Sequence, residues 1–476
     1  MQKAKNTDFD AYGQKIYAEL TRNPARALRM AEKGLALAMK QKDANGLAVM
    51  TLCQAHALRE SGHFERSLKS YDAAARLFRK TGRGPEAWRT VIGKLDALDQ
   101  LGHYREAEKA ARSAARYFGG AKLPVWQAKI YANLGNIYLH QDRYGPARKY
   151  YRLAFSMLRK ERPLDGHIAL FNEANIHLST GQPVKATQLL ETCRAFFSDN
   201  KMTHFLARTH YNLGYAKYLT GSYQEALDHV SVARQYFQEL RDTSFLASCL
   251  LDESELYLRL NQPRESIARA RHARAKFSKL DMGYELAESD SVLGLAYLRE
   301  SKMAPAIKHL SLARNFFERK GNRIKCAELD NRVALAHLKS GDRKSAKKSL
   351  IKAFSVFRHH KLYSRMLSTL VYDANLSVEM KDKTSAFRKL KSAAPWVHQV
   401  RLPWVLFPYY KMLGKIEAEM GAKTAESHLK MAIRLAESMR LQIPAEDLRI
   451  SYFQDKLQPF DALVNLYLEQ DTPAGA

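Results

Sequence analysis

The sequence predicts an all-α fold, a right-handed α-solenoid of about eleven antiparallel helix pairs closed by a C-terminal capping pair. Three observations predict it. Phenylalanine returns at a 40-residue spacing at Phe197, Phe237, Phe277, Phe317 and Phe357. Corner positions keep the same spacing at Gly62, Gly102, Asp142, Gly181, Gly221, Asn261, Ser301, Gly341, Lys381 and Gly421, with one interval of 39 between Asp142 and Gly181 and an earlier corner at Arg22–Asn23. Small side chains follow most corners at fixed offsets, first Ala27, Ser67, Ala107, Ala147, Ala186, Ala226, Ser266, Ala306, Ala346 and Ala386. The second row is Ala74, Ala114, Ala154, Cys193, Ala233, Ala273, Ala313, Ala353 and Ala393. Self-similarity at a fixed period of this size is the signature of a stacked array, in which each unit buries its apolar face on its neighbours.

Each element has a local reason. Apolar residues between corners recur at i, i+3, i+4 and i+7, so each unit reads as two helices. Gly, Asn or Asp at most corners supplies the left-handed backbone that ends the first helix. The small residues let helix backbones approach at a crossing, and the phenylalanine one turn later fills the wider gap between units. Residues 1–440 are thus expected to form the solenoid, 441–470 a helical cap or linker, and 471–476 a disordered tail. In the cap, Pro444 and Pro459 suit helix openings. Phe460, Leu463, Val464 and Tyr467 share one helical face, which either packs on the final repeat or docks another domain.

Composition bounds the partners. The 77 Lys and Arg against 49 Asp and Glu give a net charge of +28, which favours acidic partners without choosing among nucleic acid, protein and membrane surface. No apolar run is long enough to span a bilayer and the polar start resembles no signal peptide, so a cytoplasmic protein is expected. Cys53, Cys193, Cys249 and Cys326 are scattered and form no metal or disulfide pattern.

Two resemblances follow from these residues. Asn133-Leu134-Gly135…Tyr138…Ala147…Tyr151…Ala154 resembles the tetratricopeptide (TPR) signature, as do Asn212-Leu213-Gly214…Ala226…Ala233 and Leu293-Gly294…Tyr297…Ala306…Ala313. The period of 40 exceeds the family's common 34, which implies longer helices. From Ala432 to Tyr467 the chain is similar to the segment that joins TPR arrays to CHAT (caspase-like) domains in bacterial proteins. The resemblance implies that a peptidase domain with a catalytic His and Cys follows in such proteins, and none of those catalytic residues is carried over onto these 476 residues.

No catalytic constellation is expected: the sixteen histidines lack metal-site spacing, and neither a phosphate loop nor a nucleophile elbow is present. The expected protein is non-enzymatic, with no catalytic, cofactor or metal residues. TPR geometry points Asn136, His140, Asn172, Asn175, Arg208, Tyr211, Tyr215, Asn331 and Arg332 at or beside a concave peptide groove. Asn amides can hold a peptide backbone and Arg its carboxylates. Second helices carry basic surface residues, Arg264, Arg271, Arg274, Lys344, Lys348 and Lys352. The expected function is an interaction scaffold or sensor arm for a peptide or protein, regulating a CHAT-type peptidase or another effector. The alternative is a basic platform that tracks the phosphate backbone of RNA or DNA.

Overall fold

The corner chemistry read from the sequence is what builds the chain. The computed structural model describes residues 7–20, 23–141, 143–440 and 456–471. The expected corners at Arg22 and Asp142, the segment 441–455 with Pro444, Leu448 and Phe453, and residues 1–6 and 472–476 lie outside the described residues. Two compact units, Met1–Phe196 and Phe197–Ala476, are described each by itself. Among the described residues every regular element is a helix.

The first unit holds α1 (Phe9–Glu19), α2 (Pro24–Gln41), α3 (Ala44–Glu60), α4 (Phe64–Lys80), α5 (Gly84–Gln100), α6 (Tyr104–Gly120), α7 (Pro124–His140), α8 (Tyr144–Leu158) and α9 (Pro163–Ser179). The division falls within α10 (Pro183–Asp199). The second unit holds α11 (Thr203–Thr220), α12 (Tyr223–Glu239), α13 (Thr243–Arg259), α14 (Pro263–Lys279), α15 (Gly283–Arg299) and α16 (Met303–Arg319). It continues through α17 (Arg323–Lys339), α18 (Arg343–His359), α19 (Tyr363–Glu379), α20 (Lys383–Lys391), α21 (Pro403–Glu419), α22 (Ala425–Arg440) and α23 (Gln458–Asp471). From α1 to α9 and again from α11 to α22 consecutive helices pack side by side, and odd-numbered helices from α1 to α9 and from α13 to α21 also touch the next odd-numbered one.

All nine described corners from Gly62 to Gly421 adopt positive φ, between 55° and 82°. A second set, which the sequence did not announce, lies midway: Lys42, Gly82, Lys122, Lys201, Arg241, Asp281, Gly321 and Lys361 are left-handed too. The 40-residue repeat is therefore two near-equal halves, each a helix of 17 residues in most cases and a tight corner. At Gly62 the motif is complete: its N–H donates to Arg59 O at 2.9 Å and the His63 N–H to Leu58 O at 2.8 Å. The 39-residue interval arises after α8, which has 15 residues and ends at Arg159 in ordinary helical geometry, with no left-handed corner before α9. A second irregularity follows α20, which stops after 9 residues. There Trp396 stacks on Tyr363, ring centroids 5.8 Å apart, and Pro403 reopens the helix.

Both rows of small residues are wholly buried: each member from Ala27 to Ala386, and from Ala74 to Ala393, has 0% exposure. Phe78, Phe118, Phe197, Phe237, Phe277, Phe317 and Phe357 fill the gaps beside them.

A polar device recurs across this core in the second unit. Buried Glu253 on α13 is held by Arg234 of α12 at 2.7 Å and Arg269 of α14 at 3.1 Å. Asp290 on α15 is held by Arg274 of α14 at 2.7 Å and His309 of α16 at 2.6 Å. Asp330 on α17 is held by Arg314 of α16 at 2.7 Å and lies 3.8 Å from Lys352 of α18. One carboxylate thus ties its own helix to the second helices on both sides.

The second unit departs from strict neighbour contact. Buried side chains of α11–α13 share one apolar cluster with Phe407, Ala432, Ala436 and Met439 of α21 and α22. The Arg259 guanidinium lies 5.6 Å from the Trp404 ring centroid. At the C-terminus α23 packs on α22 and α21, and the Tyr467 hydroxyl donates to Glu426 at 2.8 Å.

Candidate functional site

Residues 40 apart on successive first helices stand side by side, so a periodic chain turns equivalent positions into rows. In the second unit the rows that face away from the second helices carry Tyr211 and Tyr215 of α11, Asp252, Glu255 and Arg259 of α13, and Arg332 of α17. All six retain solvent exposure. They are nevertheless enclosed by protein, and their electrostatics record it. Enclosure pushes the Asp252 carboxyl up to about 7, against the pull of a hydrogen bond from Tyr211 and with the help of neighbouring Glu255 and Glu253. Glu255 is raised by the same desolvation, which Arg259 and Arg332 oppose. The Tyr211 hydroxyl is held far above its ordinary range, by burial first and by Asp252 second.

Bridges between first helices set the positions of these groups. Arg332 donates to Ser291 of α15, and Lys325 of α17 pairs with Glu288 of α15 at 2.5 Å. Arg365 of α19 pairs with Glu328 of α17, and the Asn331 amide donates to Thr369 Oγ1 at 2.7 Å. Arg259 donates to the Tyr218 hydroxyl at 3.1 Å, and Tyr218 stacks with Tyr215 at 6.4 Å and 12°. With Trp404 beyond Arg259, two aromatic residues and a guanidinium bound this face where α21 meets α13.

An unfolded aspartate releases its proton near ~4, whereas folded Asp252 holds it to about 7. The folded state therefore binds more protons in that window, and stability falls as pH rises through it. Asp252→Asn should remove this contribution. Urea unfolding at pH 8 should show the variant more stable than the parent by roughly 1–2 kcal/mol after allowing for partial exposure, with no difference at pH 4. A parent and variant that lose stability in parallel between those pH values would refute the assignment.

The predicted groove residues divide by role. Tyr211, Tyr215 and Arg332 stand on the inner face just described, and half-buried Arg208 lies one turn before Tyr211 on α11, its guanidinium lowered by burial. Asn331 is buried and committed to Thr369. In the first unit Asn136 accepts from the Tyr151 hydroxyl at 2.7 Å, and Asn172 bonds the same tyrosine. His140 Nδ1 lies 2.6 Å from Asp99, and Asn175 is half-buried with a partner. Asn136, Asn172 and His140 thus join helices as much as they face solvent.

The predicted basic surface is largely engaged. Arg274 and Lys352 serve Asp290 and Asp330, Arg271 donates to the Tyr297 hydroxyl at 2.6 Å, and Arg264 lies 3.5 Å from Glu300. Lys344 and Lys348 are exposed on α18. Of the predicted docking face, Phe460 and Leu463 are half-buried while Val464 and Tyr467 are exposed. Sequence reasoning missed Asp252, Glu255, Arg259 and Trp404. Arg259 was findable, because Arg259, Arg299 and Lys339 repeat at 40 residues; Asp252 and Glu255 have no such recurrence. Nothing local announces that Trp404 meets Arg259.

Among the described residues no cluster of three His, Cys, Asp or Glu could hold a metal, and no helix is long and apolar enough to cross a membrane.

The tetratricopeptide repeat model matches residues 128–157. That match covers one repeat, most of α7 together with α8. The apo form of the quorum sensor NprR from B. thuringiensis is similar in structure, with 14% identity, a TM-score of 0.53, and coverage of 74% of this chain and 99% of that one. At that identity the likeness extends to the fold alone. Aspartyl phosphate phosphatase F from Bacillus subtilis matches at 14% identity and a TM-score of 0.49, over 75% of this chain and 96% of that one. A Rap protein complexed with Competence and Sporulation Factor matches at 12% identity and a TM-score of 0.49, over 74% and 98%. No curated protein matches the chain.

Proposed function

We propose that the second unit is a non-enzymatic receptor for an extended peptide or protein segment, which lies along the inner face of its first helices. One observation carries this reading. Tyr211, Tyr215, Asp252, Glu255, Arg259 and Arg332 form a solvent-reachable polar and aromatic surface enclosed enough to hold Asp252 near neutrality. Such a surface offers a peptide backbone hydrogen bonds and charge of both signs in a partly desolvated setting, where they are strongest. The fold shared with NprR, a quorum sensor, is consistent with a sensor role. Occupancy would act on an effector, and the CHAT-junction resemblance makes a caspase-like peptidase the first to test.

The nucleic-acid alternative gains no support, because Arg264, Arg271, Arg274 and Lys352 already serve protein acceptors. The test is selection of binding peptides from a random library on the parent chain, followed by their titration on Tyr211→Ala/Tyr215→Ala. Affinity should fall about tenfold or more with unchanged helical circular dichroism. Equal affinity would remove the inner face from consideration.

A further inference from the structure

The first unit contains a cleft at a position that three repeats of the second unit fill. In the second unit, Arg234, Arg274 and Arg314 stand thirteen residues after their corners Gly221, Asn261 and Ser301. Each reaches down from a second helix to a carboxylate on the next first helix, Glu253, Asp290 or Asp330, and so fills the furrow between them. On α6 the same position, thirteen after Gly102, is Ala115. Across from it on α7, in the register of Asp290 and Asp330, stands Tyr131. Both halves of the clasp are replaced at once, and the furrow between α6 and α8 stays open as a cavity of about 380 Å³.

Its floor is Ala115, Tyr131, Leu134 and Tyr150. Gln127 holds that floor in place, donating to Ala115 O and to the Tyr131 hydroxyl, each at 3.2 Å. Arg112 and Arg116 also line it, and both continue into an adjoining groove on α6 lined by Arg105, Lys109 and one carboxylate, Glu108. Glu108 is occupied by Arg112 at 3.2 Å and Arg143 at 3.1 Å. Arg105, Lys109 and Arg116 are exposed and make no ion pair among the described residues.

We infer that this cleft is a second binding site, independent of the inner face of the other unit, for an acidic peptide segment carrying a bulky apolar side chain. The apolar side chain enters over Tyr131, Leu134 and Tyr150 while flanking carboxylates meet the α6 cations. The charge complementarity selects an acidic partner, and the floor selects a peptide over RNA. Tyr150 is already stacked on Tyr138 at 5.6 Å and 9°, and Tyr131 tilts against Tyr150 at 5.6 Å, which leaves little ring face for an incoming base.

The test uses the full chain and three fluorescent probes: a synthetic peptide of Glu, Asp, Leu and Phe, its analogue with every Leu and Phe replaced by Ala, and a single-stranded RNA. The parent should bind the first peptide at least about tenfold more tightly than the analogue. Ala115→Arg introduces the residue that stands at this position in α12, α14 and α16, adding positive charge while filling the cleft. It should weaken the first peptide about tenfold, and so should the surface variant Lys109→Glu/Arg116→Glu, whose exposed positions carry no folding role. Tyr211→Ala/Tyr215→Ala should leave this binding unchanged. Tighter peptide binding by Ala115→Arg, equal binding of the analogue, or RNA binding that competes with the peptide on equal terms would each overturn the inference.

Discussion

Glu253→Ala should destabilise the second unit by about 3–5 kcal/mol, the range for breaking a buried ion pair by deleting one partner. Glu253 is 1% exposed, and its two oxygens face Arg234 at 2.7 Å and Arg269 at 3.1 Å. The first contact is a hydrogen bond; the second is an ion pair by distance without hydrogen-bond geometry. Deleting the carboxylate removes the shared acceptor of two guanidiniums from α12 and α14, whose side chains are only 20% and 35% exposed, and leaves a void in the core. Glu253→Gln should cost less, because its amide oxygen still accepts from Arg234. Replacing Glu253, Arg234 and Arg269 together with apolar residues should recover much of the loss, since a paired buried charge adds little net stability over a packed apolar substitute. Urea unfolding followed by circular dichroism measures all three. A loss below about 0.5 kcal/mol for Glu253→Ala would mean that the clasp is solvated and contributes nothing.

Gly135→Leu should cost about 1–3 kcal/mol or more in the first unit. A side chain there would place its Cβ 2.5 Å from Tyr151 Cε1 and 2.6 Å from Cδ1. Tyr151 is fully buried and its hydroxyl is committed to Asn136, so the ring has nowhere to go. The same close approach recurs at Gly93, where a Cβ would lie 2.2 Å from the Tyr71 hydroxyl. The glycine of the TPR signature is therefore a packing requirement: it lets a second-helix tyrosine cross the first helix. Pairing Gly135→Leu with Tyr151→Ala should restore part of the stability. An unchanged thermal midpoint for Gly135→Leu alone would contradict this packing.

The corners and the two small-residue rows were legible because each is a local demand. A left-handed corner favours Gly or Asn wherever it occurs, and a helix crossing excludes large side chains whatever the neighbouring sequence. The halfway corners were not legible, since Lys42, Lys122, Lys201 and Lys361 carry no turn signature and are held left-handed by the helices they join. Among candidate site residues, Tyr211 and Tyr215 were visible as aromatics on a first helix, the first half-buried and the second exposed. Asn136 and Asn331 looked equally available, yet each is used in a hydrogen bond to a residue from another helix. Arg274 and Lys352 read as surface charge on one helix, because a single helix cannot show Asp290 and Asp330 arriving from the next.

The sequence by itself determined the repeat, its period, and which side chains must be small or aromatic, because backbone sterics and helix crossings act within one unit. Only the tertiary structure decided which charges are clasped to another helix and which stay exposed. It also decided that Arg259 meets Trp404 and that Ala115 and Tyr131 open a cleft. Those outcomes depend on side chains brought from separate helices to a few ångströms, where Coulombic and packing energies become large and sequence distance no longer counts.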